Sequence, residues 1–209
     1  MAETRHAETL PSSPAAERNS PPIHACLLRL LSSQAHVLEI GSGTAQHAVY
    51  ISERLPRLLW QCSDVAENLP GIQARIELQA GQRLPAAIEL DVIASSWPKG
   101  PFDAVFTANT LHIMPWDHTP VLLQRSSAVL RPGGCLIIYG PFHDNGIHTA
   151  ATNEAFDGSL KARAPAMGVR DAVQIKALAS AVDLGSEADL ALPANNRLLV
   201  FRKLDGAPT

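Results

Sequence analysis

The sequence contains no apolar run long enough to cross a bilayer, no cluster of basic residues and only three cysteines. Each absence removes a class of function. A membrane-spanning helix needs about 20 predominantly apolar residues, and the stretch MAETRHAETLPSSPAAERNS lacks the apolar centre of a secretory signal. A nucleic-acid-binding face needs clustered Lys and Arg. Here 17 basic residues are scattered among 20 acidic ones, for a net charge of −3. Neither nucleic acid nor a membrane surface is an expected partner. Cys26, Cys62 and Cys135 are odd in number and match no metal spacing. They read as reduced thiols packed inside a cytoplasmic protein, with only Cys62 near enough to a ligand loop to line a pocket. No G-x-S-x-G nucleophile elbow is present, which argues against an α/β-hydrolase. His143, Asp144 and His148 are too generically spaced to indicate a metal, and none is expected.

What the sequence does contain is a full core. Its 209 residues are 46% hydrophobic, which suits one globular domain. The chain is organised around His36-Val37-Leu38-Glu39-Ile40-Gly41-Ser42-Gly43-Thr44-Ala45-Gln46-His47-Ala48. A short apolar run carries an acid, passes a glycine-bracketed turn and enters a helical pattern. That is a strand, a tight loop and a helix whose first N–H groups are free for a ligand. Short apolar runs recur at Arg57–Asp64, Ala86–Val92, Phe102–Asn109 and Cys135–Gly140, alternating with helices expected at 45–55, 70–78 and 117–130. Such near-continuous apolar strands indicate a parallel sheet covered on both faces. Asp189–Leu192 and Arg197–Arg202, joined by Pro193-Ala194-Asn195-Asn196, read as a closing antiparallel hairpin. The expected class is α/β: a doubly wound, Rossmann-like, mostly parallel sheet with an antiparallel C-terminal hairpin strand. Ser20 reads as the N-cap of a helix opened by Pro21 and Pro22. Residues 1–16 read as a flexible arm and 17–209 as a single domain.

Two cofactor classes use a glycine loop after the first strand. The dinucleotide fingerprint requires Gly or Ala where Gln46 stands. The alternative, acid-x-Gly-x-Gly-x-small, is satisfied by Glu39, Gly41, Gly43 and Ala45. This resembles motif I of the class I S-adenosylmethionine-dependent methyltransferases. The resemblance implies seven strands and S-adenosyl-L-methionine as cofactor. It assigns Asp64 to the ribose hydroxyls and Asp91, flanked by Leu90 and Val92, to the adenine. Asn109 falls near the methionine part, and Gly41, Ser42, Gly43 and Thr44 lie against the amino-acid end, with Glu39 ordering that loop. Arg131-Pro132-Gly133-Gly134 matches the turn before the fifth strand.

A narrower resemblance covers nearly the whole chain. Glu17-Arg18-Asn19, Gly41-Ser42-Gly43-Thr44 with His47-Ala48-Val49-Tyr50, Trp60 with Ser63-Asp64, and Phe106-Thr107-Ala108-Asn109 with Leu111-His112-Ile113-Met114 all carry it. Tyr139-Gly140-Pro141-Phe142, Asn153, Phe156-Asp157, Arg170-Asp171 and Pro193-Ala194-Asn195-Asn196-Arg197 continue it. The chain is similar to the methyltransferase-like 26 proteins, a methyltransferase-like family of unknown function. Ala45, where a glycine is expected, is the departure, and its methyl either narrows the cofactor site or is harmless.

Methyl transfer from a sulfonium needs near-attack geometry, and a base only where the nucleophile holds a proton of high pKa. His112 after the fourth strand, His143 after the fifth and Tyr139 within it are the candidate catalytic residues. Each has a structural alternative as a packed side chain. Arg18 and Asn19, in a lid helix spanning 17–33, are candidates to close over the cofactor. Residues 141–169, with an interrupted helix near 153–164, form a substrate-side insert. His47 reads as structural or near the cofactor. The expected activity is methyl transfer to a small-molecule acceptor. Two alternatives stand beside it: a non-methylating reaction of the sulfonium that releases methylthioadenosine, and a non-catalytic binding protein of the same fold. Apolar helix faces serve a core and a homodimer equally.

Overall fold

The structure, a computed structural model, describes residues 10–94 and 96–204. The first nine residues of the expected arm lie outside the described residues. The chain opens with α1 (Pro14–Leu30), capped by Ser13, whose Oγ accepts from Ala16 N at 3.3 Å. The helix thus starts earlier than Pro21, and Ser20 is not its cap. Pro21 and Pro22 lie inside it. Their missing N–H groups leave the carbonyls of Glu17 and Arg18 without helical donors. Both of those residues are exposed, so water can satisfy them.

Strands and helices then alternate: β1 (His36–Ile40), α2 (Gln46–Arg54), β2 (Leu59–Asp64), α3 (Leu69–Arg75), β3 (Ile88–Glu89), β4 (Phe102–Ala108), α4 (Thr110–Ile113), α5 (His118–Val129) and β5 (Leu130–Gly140). The third strand is two residues long, so Asp91 sits beyond its end and not within it. The Arg131–Gly134 segment belongs to β5, with Gly133 at φ +70°. The last third adds β6 (Phe142–Asp144), β7 (Ile147–His148), α6 (Ala151–Arg163), β8 (Arg170–Asp171), α7 (Ala172–Ser180), β9 (Leu184–Leu192) and β10 (Asn196–Lys203). The helix expected to be interrupted near 153–164 is continuous as α6.

Seven strands form one sheet in the order β3-β2-β1-β4-β5-β10-β9. β1 pairs parallel with β2 and β4, and β10 pairs antiparallel with both β5 and β9. This is the expected doubly wound sheet with an antiparallel strand from its C-terminal hairpin. β7, β6 and β8 make a second, small sheet beyond the C-terminal end of β5.

Alternation along the strands divides the core into two layers. Val37, Trp60, Phe106, Ile137 and Val200 face Ile23 and Leu27 of α1, Ile51 of α2 and Ile72 of α3. Leu38, Val105, Leu136, Ile138 and Leu199 face Leu122 and Leu123 of α5 and Ile175 of α7. Ala45 belongs to the first layer and is fully buried. It caps α2 at φ +56°, in the left-handed region where a Cβ is strained by about 1–2 kcal/mol. Gly41 also turns through positive φ, at +71°. A Cβ there would drive into the Thr110 side chain.

The two loop positions therefore respond oppositely to a single methyl. Ala45→Gly relieves strain but loses a buried methyl and frees the unfolded chain, so stability should shift by less than about 1 kcal/mol. Gly41→Ala adds strain and overpacking together and should cost about 2–5 kcal/mol. Urea unfolding of both variants checks the pair, and equal effects would contradict the assigned geometry.

Candidate functional site

A cavity of about 530 Å³ lies beyond the C-terminal ends of β1, β2, β3 and β4. That is the edge where open α/β sheets hold ligands, and the volume suits a nucleoside-sized molecule. Gly41, Ser42, Gly43 and Thr44 form its floor. Gly41 N and Ser42 N both donate to Ser63 O at 3.0 Å, which ties the loop to the end of β2. Ser42 Oγ donates to Glu39 Oε2 at 2.8 Å and accepts from Ser63 N at 3.1 Å. Trp60 Nε1 donates to the same Glu39 oxygen at 3.0 Å. Glu39 is buried under the loop and does not line the cavity. Burial raises its pKa, and the hydrogen bonds from Trp60 and Ser42 oppose that rise.

Asp64 closes the loop from the other side. Its Oδ2 accepts from Gly43 N at 2.7 Å, and its Oδ1 accepts from Val65 N and Asn68 Nδ2, both at 2.8 Å. The carboxylate lines the cavity with one acceptor direction still free of these three donors. Leu90, Asp91 and Val92 line the same wall, and Leu90 N is anchored to Asp64 O at 2.8 Å. Asn109, at φ +62°, turns β4 into α4 and borders the cavity opposite them. The methyl of Ala45 points into the core, away from the lining, so it does not narrow the space. Cys62 is buried and does not line it either.

The N-terminal contribution differs from expectation. Ser13, Ala15 and Ala16 of the α1 region line the cavity, whereas Arg18 and Asn19 do not. Gln46 explains this register. Its Oε1 accepts from Ser13 N at 2.6 Å and from Thr44 Oγ1 at 2.7 Å, fastening the start of α1 to the glycine loop. Arg18, one helical turn on, is exposed. The cavity-lining small residues ahead of Glu17 carry no sequence signal that distinguishes them from a linker. Val65, Asn68, Thr110, Ile113 and Met114 also line the cavity, and of these only Ile113 and Met114 stood in a stretch that carried the resemblance.

The three candidate catalytic residues are not gathered at the cavity. His112 lies behind its wall, 1% exposed, with its ring 5.4 Å from that of Phe142. Its Nε2 fills the space where Gly140 lacks a Cβ. Among the described residues neither of its ring nitrogens has a hydrogen-bond partner. Tyr139 is buried in the opposite core layer, and burial pushes its hydroxyl up to about 12 against the opposing charge of Arg18. His143 borders a separate small cavity with Trp116, Arg170 and Asp171. It faces Asp171, Nδ1 to Oδ2 3.4 Å, and not Asp144, which pairs with Arg197 at 2.8 Å. Among the described residues no group of three or more His, Cys, Asp or Glu could hold a metal ion, and no helix is long and apolar enough to cross a membrane.

Two buried histidines give the fold a pH signature. Burial holds His47 down to about 4; burial and the charge of Arg170 hold His112 down to about 3. In the unfolded chain both take up protons near pH 6.5. The unfolded state therefore binds more protons as pH falls below 6.5, and stability drops until the folded values are reached. The loss approaches about 2 kcal/mol per histidine at pH 5. His112→Phe, which takes no proton, should flatten the fall in urea stability between pH 7 and 5. Parallel curves for wild type and variant would contradict the assignment.

Known structures share this architecture. An O-methyltransferase family protein from Burkholderia thailandensis superposes with a TM-score of 0.79 at 17% identity, over 92% of this chain and 58% of that one. The mitomycin 7-O-methyltransferase MmcR gives 0.78 at 17% identity, over 90% and 54%. A structure of PigF with SAH gives 0.76 at 17% identity, over 90% and 56%. The chain thus spans just over half the length of these proteins, and the likeness is one of fold: a methyltransferase-like α/β sheet. Residues 10–203 match a family described as "Protein of unknown function (DUF938)", and the chain belongs to that family.

Proposed function

We propose that this chain is an S-adenosyl-L-methionine-dependent methyltransferase acting on a small-molecule acceptor. The observation that carries the reading is the Asp64 carboxylate, held in the cavity wall by Gly43 N, Val65 N and Asn68 with an acceptor direction to spare. A carboxylate so fixed can take a hydrogen bond from a ribose hydroxyl at little ordering cost. Leu90 and Val92 supply apolar contact for a flat base, and Asp91 beside them an acceptor for its amino group. Gly41 and Gly43 let the backbone approach the remainder of the molecule. The neighbours described as O-methyltransferases, and the one described with SAH, support the same reading. So does the resemblance to the methyltransferase-like 26 proteins. The bound cofactor supplies an electrophilic methyl group. This chain's part is to hold donor and acceptor in line and to keep water out. The apolar side chains of Ile113 and Met114, on the cavity wall next to Asn109, suit an uncharged organic acceptor. The net charge of −3 without a basic cluster disfavours a nucleic acid.

Titration calorimetry with S-adenosylhomocysteine tests the site. Wild-type protein should bind, and Asp64→Ala should weaken binding by about 1.5–3 kcal/mol, the loss of a charged hydrogen bond at a buried group. No binding by wild type, or an unchanged affinity in the variant, would overturn the cofactor assignment. Transfer of labelled methyl from the cofactor to hydroxylated aromatic compounds tests the activity, and methylthioadenosine as sole product would sink it.

A further inference from the structure

Two histidines line the cavity, His47 and His118. His47 stands in the first turn of α2, lines the cavity and is 7% exposed. Its Nδ1 lies 2.9 Å from Ser20 Oγ. Ser20 has a single hydroxyl hydrogen, and its Oγ already donates to Ala16 O at 2.7 Å. With the hydroxyl hydrogen on Ala16 O, the contact with His47 runs the other way, Nδ1–H donating to the serine oxygen. In that arrangement the proton is on Nδ1 and the lone pair on Nε2. Among the described residues Nε2 makes no hydrogen bond, and unlike the ring nitrogens of His112 it is not sealed in by protein atoms. The ring packs edge-on to Phe106 of β4, centroids 6.3 Å apart. His47 therefore reaches β4, the strand that ends at the cavity in Asn109.

An acceptor at this place selects its ligand by chemistry. A carboxylate offers no hydrogen to a bare lone pair and is repelled by it. An ammonium group offers three hydrogens. Burial keeps the imidazole neutral down to about pH 4, so it stays an acceptor throughout the physiological range. With the nucleoside over β2 and β3, the far end of the cofactor lies over β1 and β4, and its one hydrogen-bond donor there is the α-amino group.

We propose that His47 Nε2 is the subsite for the α-ammonium of the methionyl part of S-adenosylmethionine, set in the accepting tautomer by Ser20. Ser20 and His47 thereby make α1 part of the cofactor site, through its second turn and not through Arg18 or Asn19. The proposal rests on the cofactor reading above.

Three ligands and two variants separate the two. S-adenosylhomocysteine carries ammonium and carboxylate, its decarboxylated analogue carries only the ammonium, and 5′-methylthioadenosine carries neither. His47→Phe should weaken the first two tenfold or more and leave methylthioadenosine within twofold of wild type. Ser20→Ala, which releases the tautomer, should weaken the first two by a smaller factor in the same pattern. Nitrogen-15 spectra of the wild-type imidazoles should show Nδ1 protonated and Nε2 bare at pH 7, with the Nε2 signal of His47 moving on addition of S-adenosylhomocysteine and not of methylthioadenosine. Equal loss for all three ligands, loss confined to the carboxylate-bearing one, or a protonated Nε2 would overturn the proposal. If no adenosine ligand binds wild-type protein, the cofactor reading fails first.

Discussion

The glycine loop depends on a carboxylate that never meets the cavity. Glu39, inside β1, takes hydrogen bonds from Ser42 Oγ and Trp60 Nε1 on one oxygen. An acid at 1% exposure is costly unless its lone pairs are occupied. Here the occupants are the loop and the neighbouring strand. Removing either partner would leave part of a buried acceptor unsatisfied, so the loop cannot leave β2 without a penalty. Ser63 completes the knot, since its backbone oxygen takes Gly41 N and Ser42 N while its Oγ donates to Glu39 O at 2.6 Å. The site's rigidity thus derives from polar groups packed beneath it.

The sheet was legible because its evidence is periodic. Each buried strand announces itself as an apolar run, and the hairpin by two such runs around Pro193–Asn196. The acids that follow these runs were legible by their place, and Asp64 and Asp91 line the same cavity as Gly41–Thr44 and Asn109. What stayed hidden was non-local. Nothing near Ser13 in sequence reveals that Gln46, 33 residues on, receives its N–H and so moves the helix start upstream of the prolines. Nothing in His112 or Tyr139 shows that each points into a different core layer and away from the cavity. A histidine following a strand reads alike whether it faces a ligand or fills the groove of a glycine. Ala45 illustrates the converse, a local departure whose side chain turns out to face the core.

The last third of the chain is fastened to the cavity wall through backbone carbonyls. Arg170 donates from Nε to Leu111 O at 2.8 Å and from a terminal nitrogen to Met114 O at 2.6 Å, capping the short helix α4. Gly168 N adds a bond to His112 O at 2.9 Å, and Asp157 holds Val169 N at 2.8 Å. The insert beyond β5 is therefore continuous mechanically with Asn109–Met114, the stretch that borders the cavity. A change in the insert is felt at that wall by displacement of its main chain, without a side chain of the insert entering the cavity.

The paired prolines of α1 have a mechanical meaning. Upstream of them, Ser13, Ala15 and Ala16 roof the cavity; downstream, Ile23 and Leu27 are locked into the core. Between the two halves, two successive rungs of the helical ladder are missing. The roof is consequently carried on a joint, and what keeps it down is a handful of side-chain fastenings, Gln46 to Ser13, Arg75 to Pro11 O and His47 to Ser20. The seat of the roof is thus set by side-chain bonds to α2 and α3, and the core end of the same helix is held separately, by packing.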